Sequence, residues 1–164
     1  MTDERDQAMK AEVIRFKRNH FSARLPIGYL YSLSHFWLHE ESPRSWRVGL
    51  TNFATRMLGE IVEIDFEVEA GKQVRAGEVL GWIEGFKAVS DLYSVAEGEF
   101  SGGNPIAGAG TDLVCSDPYG EGWLYRIRGK PDPGVVTVQG YIEHLERTID
   151  KMQEKPWQSG EIQP

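Results

Sequence analysis

What most constrains the fold is the punctuation between Ile61 and Ile127, where apolar residues come in short runs separated by turn signals. Ile61-Val62-Glu63-Ile64-Asp65-Phe66 alternates apolar and acidic residues, the pattern of a strand with one buried face. Ala70-Gly71-Lys72 and Arg75-Ala76-Gly77-Glu78 read as turns, and Val79 to Ile83 as the next strand. Leu92-Tyr93-Ser94-Val95 has strand composition, and Asp117-Pro118-Tyr119-Gly120 is a turn ahead of a strand from Trp123 to Ile127. Gly98-Glu99-Phe100 echoes Gly59-Glu60-Ile61 from the other side of Lys87. The echo suggests two similar half-sheets folded face to face, with the Lys87 hairpin protruding at one end.

Around this middle the sequence predicts a few helices. Residues 3 to about 19 read as an amphipathic helix with Met9, Val13 and Phe16 on one face and Thr2 or Asp3 as cap; Leu25-Pro26-Ile27-Gly28 ends it. From Tyr29 to about Leu50 the signals are strand-like, with Phe36-Trp37-Leu38 and Trp46 to Leu50 separated by Glu41-Ser42-Pro43-Arg44. Thr51 is placed to cap a two-turn helix from Asn52 to Leu58, with Gly59 just past its end. Val138, Tyr141, Ile142, Leu145, Ile149 and Met152 share a face, so 137–154 is an amphipathic helix that Pro156 ends, leaving a mobile tail.

The chain of 164 residues is long enough for one sizeable core, and a formal charge of −7 argues against a phosphate-binding surface and hence against nucleic acid. A single cysteine, Cys115, excludes an internal disulfide. The charged start lacks a signal-peptide core, and no stretch approaches the roughly 18 apolar residues of a membrane span, so a soluble, cytoplasmic protein is expected. His35 and His39 stand four apart on a strand-like segment, a poor spacing for metal. No phosphate loop or Ser-His-acid set stands out, and nothing cationic flanks Cys115, so it reads as a packing residue. The expectation is not an enzyme.

Lys87 lies between the two strand-like runs in Glu84-Gly85-Phe86-Lys87-Ala88-Val89-Ser90-Asp91, and for an arbitrary hairpin a solvated turn lysine is the ordinary reading. Here the surroundings resemble a family. His35-Phe36-Trp37-Leu38, then Val48-Gly49-Leu50-Thr51 with Ala54 and Leu58-Gly59, then the Lys87 segment, then Asn104, Leu113-Val114, Ser116-Asp117-Pro118-Tyr119-Gly120 and Gly122-Trp123 follow one another as in the glycine cleavage system H-protein. In that family the segment reads ESVKAASD and its lysine carries lipoic acid. The resemblance implies a mainly β fold with helices (α+β), a lipoyl/biotinyl barrel-sandwich hybrid with a small helix after the first strands and a C-terminal helix, to which the periodicity of the first residues adds an extra N-terminal helix without counterpart in that family. It divides the chain into a helical extension (1–28), a lipoyl-carrier domain (29–131), a C-terminal helix (132–155) and a tail (156–164). It also implies an amide-linked lipoyl arm on Lys87, attached by a lipoate ligase or lipoyl transferase, with Glu84 and Asp91 helping that enzyme find the right lysine. An arm roughly 14 Å long lets cargo visit separate active sites without dissociating.

The departures matter as much. The family's carboxylate between His and Trp is Phe36, and Gly85-Phe86 replaces the usual Ser-Val before the lysine. A phenyl ring accepts no charge-assisted hydrogen bond from a cargo ammonium. The altered pattern is similar to the lipoate-binding proteins of sulfur oxidation, which work with a heterodisulfide-reductase-like complex. A sulfur cargo is therefore the favoured expectation. The alternative is an aminomethyl carrier working with glycine decarboxylase, aminomethyltransferase and dihydrolipoyl dehydrogenase.

Overall fold

The computed structural model describes residues 12–106 and 110–162, with side chains to residue 153. Among the described residues, eleven strands and three helices follow in order: β1 (Val13–Arg18), β2 (Phe21–Pro26), β3 (Leu30–Tyr31), β4 (Phe36–Ser42), β5 (Ser45–Leu50), α1 (Asn52–Leu58), β6 (Ile61–Phe66), β7 (Gln73–Val74), β8 (Val79–Gly85), β9 (Val89–Tyr93), β10 (Ala96–Gly103), α2 (Leu113–Ser116), β11 (Tyr125–Pro131) and α3 (Val138–Ile162). A six-stranded sheet runs β3-β4-β5-β11-β10-β7, a three-stranded sheet runs β6-β8-β9, and β1-β2 stand apart as a hairpin. The fold is mainly β with a few helices, the barrel-sandwich architecture expected. The two Gly-Glu echoes fall in different sheets, Ile61 opening β6 and Gly98 lying inside β10.

Two cores hold the chain together. The first is filled from both large sheets by Phe36, Leu38, Ile64, Leu80, Ile83, Leu92, Phe100 and Ile127. The second gathers Phe16, Phe21 and Leu25 of the hairpin with Tyr31, Trp37, Phe53 and the α3 residues Val138, Tyr141, Leu145 and Ile149. The helical face read from the sequence is thus the face α3 buries. Trp37 is fully buried and its indole N–H donates to Pro118 O at 3.0 Å, so the bulky side chain leaves no polar atom stranded.

The expected N-terminal helix is overturned where it can be seen. Residues 13–26 form an antiparallel hairpin with Phe16 opposite Ala23 and Arg18 opposite Phe21; residues 1–11, including Met9 and the candidate caps Thr2 and Asp3, lie outside the described residues. The reason is physical. Asn19 takes φ 57°, a left-handed conformation that ends any helix and suits asparagine in a tight turn. Pairing with β2 then satisfies the backbone while Phe16, Phe21, Ala23 and Leu25 all become buried, more apolar surface than one short marginal helix offers. At the other end, α3 runs past Pro156 to Ile162 rather than stopping there, since a proline removes one helical donor without forbidding the turns around it. α1 occupies the residues predicted, but Thr51 makes no capping bond; its hydroxyl is 2.7 Å from the Tyr141 hydroxyl instead.

Candidate functional site

The site grows out of the turn between β8 and β9. Glu84 pairs with Val89 and Ile83 with Ser90, and the Gly85 N–H donates to Ala88 O at 2.9 Å to close the turn. The next two backbone donors leave the hairpin altogether. Phe86 N–H donates to Glu60 O and Lys87 N–H to Leu58 O, both at 2.9 Å. These bonds satisfy carbonyls that the end of α1 would otherwise leave without partners, so hairpin and helix lock each other. The locking demands glycine: a Cβ on Gly85 would sit 2.1 Å from Leu58 O. Gly59, at φ 77°, ends α1 and lies under the lysine stem, where a Cβ would come within 3.0 Å of Lys87 Cγ.

The side chains at the tip are free of such ties. Lys87 is exposed, with one long contact from Nζ to Arg56 O at 3.3 Å. Phe86 is 74% exposed and Val89 67%. Among the described residues, Lys87, Glu84 and Asp91 form no ion pair. The backbone is therefore rigid, the amine is accessible, and glycine makes room for the stem. Such a lysine fits an amide-linked arm: it presents a nucleophilic amine on a fixed turn to a modifying enzyme.

The residues singled out from the sequence split into two places. Gly85, Phe86 and Lys87 share the turn. Phe36 and Asp91 instead line a cavity of about 290 Å³ beside Ala54 and Leu58, which Lys87 does not line. Phe36 is 3% exposed, so its ring belongs to the first core as much as to that cavity. Glu84 flanks the turn, paired with Val89, and does not line the cavity. Lys87 opens instead on the other side of α1, onto a groove of about 700 Å³ where Arg15, Lys17, Arg24 and Arg56 make the rim basic, unlike the acidic chain as a whole.

Cys115 lines the same groove, half-buried, with its thiol donating to Gly59 O at 3.5 Å. Burial pushes its pKa up, which keeps it as the unreactive thiol. Histidines 35 and 39 stand apart from any metal arrangement: among the described residues no cluster of His, Cys, Asp or Glu has ligand geometry. His35 Nδ1 lies 2.7 Å from the Tyr141 hydroxyl. Burial, helped by nearby His144, pushes His35 down to about 4. A neutral imidazole then accepts from the Tyr141 hydroxyl, which accepts in turn from Thr51, and the two buried hydroxyls are satisfied.

Sequence reasoning missed the hairpin wall. Phe16, Phe21, Arg15 and Arg24 enter the site only because 13–26 is a hairpin. A signal was present: Phe21, Ala23 and Leu25 alternate with polar residues, a period of two that no helix keeps.

With this geometry in view, comparison with known proteins is informative. Residues 29–148 match the profile of the family described as Glycine cleavage H-protein. The glycine cleavage system H protein of Rubrobacter xylanophilus is 39% identical over 124 residues, covering 76% of this chain and 97% of that relative. The one from Aeromonas hydrophila is 41% identical over 106 residues, covering 65% and 81%. Among solved structures, a glycine cleavage system H protein from Mycobacterium marinum superposes with a TM-score of 0.67 at 31% identity, covering 74% of this chain and 99% of that one. The β1–β2 hairpin precedes the matched residues.

Proposed function

The chain belongs to the glycine cleavage H-protein family, and from that premise we propose that it is a lipoyl carrier of the glycine cleavage system with Lys87 as the attachment point. It is a carrier and not an enzyme. The observation that carries the reading is the turn itself: two backbone bonds to α1 and its end fix the tip, while the Lys87 amine stays in solvent. Lipoic acid bound there supplies a reversible thiol–disulfide couple that takes up and hands on a covalent cargo. The chain's own residues do the rest. Gly85 and Gly59 give the lysine its room, Leu58 O and Glu60 O hold the turn, and exposed Phe86 and Val89 give a lipoate ligase or lipoyl transferase an apolar surface beside the amine. Glu84 and Asp91 supply flanking carboxylates for the same recognition.

The partners that follow are glycine decarboxylase, aminomethyltransferase and dihydrolipoyl dehydrogenase. No described helix is long and apolar enough to cross a membrane, in keeping with a cytoplasmic place among them. The relatives reverse the preference reached from the departures: they carry the glycine cleavage name and lend no support to a sulfur cargo or a heterodisulfide-reductase-like partner. One observation keeps that second reading in play, namely that Phe36 lines the cavity with Asp91 where the family places a carboxylate for an amine.

Two measurements test the proposal. Co-expression with a lipoate ligase should add about 188 Da to Lys87 and nothing to a Lys87→Arg variant; an unmodified Lys87 ends the carrier reading. The lipoylated protein should then support glycine decarboxylation with the three partner enzymes. Full lipoylation without that activity would favour the sulfur cargo.

A further inference from the structure

We propose that the outer face of the β1–β2 hairpin, with Arg56 of α1, is a docking surface for a carboxylate-rich patch on a partner enzyme served by Lys87. The inference rests on the carrier role proposed above. Arg15, Lys17, Ser22 and Arg24 are exposed and alternate with buried Phe16, Phe21 and Ala23, and the segment from Arg15 to Arg24 contains no acidic residue. In register, Arg15 stands directly opposite Arg24, a pairing of like charges that costs a sheet stability. Among the described residues, none of Arg15, Lys17, Arg24 and Arg56 has a carboxylate within ion-pair distance, whereas Arg18, Arg47 and Arg126 each have one. A face that sets its own cations against each other is relieved by anions supplied from outside.

The cations are held in place. Arg24 N–H donates to the Asn52 side chain at 2.9 Å, which ties β2 to α1, and Arg18 forks onto both carboxylate oxygens of Asp150 at 2.9 Å, which ties β1 to α3. The Arg56 guanidinium lies over the Phe21 ring, 5.9 Å from its centroid. Arg15, Lys17, Arg24 and Arg56 thus converge on the groove that Lys87 also lines, so a patch docked there faces the arm-bearing lysine. Amidation removes the charge of Lys87 and leaves the other four. The surroundings choose the occupant. On the sheet that carries Lys87, Glu63 stands opposite Glu84, and Asp65 and Asp91 flank Trp82. A nucleic acid or an anionic membrane would meet those carboxylates along with the cations, and the chain's charge of −7 opposes both. A second copy of the chain seated there would cover Lys87. A compact patch of aspartates and glutamates at the mouth of a partner's active site meets the cations alone, and the opposite sign of the neighbouring sheet sets its direction of approach. Arg15, Lys17 and Arg24 precede residues 29–148, so the family match does not account for this surface.

The test uses full-length protein whose lipoylation on Lys87 is first verified by mass, titrated in turn with glycine decarboxylase, aminomethyltransferase and dihydrolipoyl dehydrogenase from the same organism. Arg15→Glu turns the like-charge pair into an opposite-charge one, so its melting temperature should rise by about 1–2 °C. Its association with at least one of the three enzymes should nevertheless slow about tenfold at low salt, a difference that shrinks as salt rises. Lys72→Glu makes the same change of charge at an exposed position outside the groove and should associate like wild type. Three results would overturn the docking surface while the carrier role stands: equal rates for Arg15→Glu and wild type with all three enzymes, equal losses in both variants, or a loss accompanied by a lower melting temperature. So would a wild-type dimer in sedimentation that Arg15→Glu dissolves, or binding of duplex DNA or phosphatidylglycerol vesicles that the same variant loses. A missing mass increment on Lys87 would overturn both.

Discussion

Two hairpins border the site, and they are held by opposite means. The β8–β9 hairpin is fastened through its backbone: three N–H groups in a row, of Gly85, Phe86 and Lys87, are all bonded, two of them to α1 and its end. Its tip side chains are left free, which is why Phe86 stays 74% exposed. The β1–β2 hairpin is fastened through its side chains, with Phe16, Phe21, Ala23 and Leu25 buried against Phe53 and α3. Backbone tethering fixes a tip without consuming its side chains, so it suits a residue that must be modified and swing. Side-chain anchoring consumes the inner face and yields a wall.

This contrast breaks most sharply at Gly85. Gly85→Ala should cost about 3 kcal/mol, because its Cβ would collide with the Leu58 carbonyl and the turn must pull away from α1. A urea midpoint measures the loss, and lipoylation by ligase should slow with it. Phe21→Ala should cost no more, about 3 kcal/mol and so the low end for a buried phenyl ring, since the hairpin edge is free to close over part of the space. Its signature is a loosened β1–β2 with the Lys87 turn unchanged by amide exchange. Acid should act on the same wall. His35 packs tilted against Phe53, ring centroids 4.5 Å apart, and is neutral down to about 4 when folded, against an ordinary value near 6.5. The unfolded chain therefore binds the extra proton first, and stability falls as pH drops from about 6.5 toward 4, by about 1–2 kcal/mol at pH 5. Burial shifts His39 the same way and adds to the slope. Asparagine tolerates the φ of 76° at position 35, so His35→Asn should flatten the acid limb of a melting-temperature profile without unfolding the protein. The smallest change is expected at Arg18→Ala: its pair with Asp150 is solvent-exposed, and the melting temperature should scarcely move.

How far the sequence could be read follows from the same contrast. The strands on either side of Lys87, the residues of α1 and the buried face of α3 were legible because alternation, turn glycines and a 3.6-residue stripe are local signals. The lysine stood out through motif order along the chain. The β1–β2 hairpin was not legible as such, since Val13 and Phe16 also fit one helical face and the choice was made by distant Phe53 and α3. Nor could residue order reveal that Phe36 and Lys87 open on opposite sides of α1, which depends on how the turn docks. Thr51 shows the same limit on a smaller scale: its capping position is local, but its hydroxyl goes to Tyr141, ninety residues away.

That last bond has a consequence in time. His35, Thr51 and Tyr141 form one chain of donors and acceptors joining β4, the start of α1 and α3 inside the second core. None of the three can part from the others without leaving a buried polar atom bare, so α3 cannot fray inward from its end past Tyr141 alone. The amide protons of α1 and the first turns of α3 should therefore exchange through one shared opening event. The helix at the far end of the chain would then open and close on the same clock as the helix that holds the Lys87 turn.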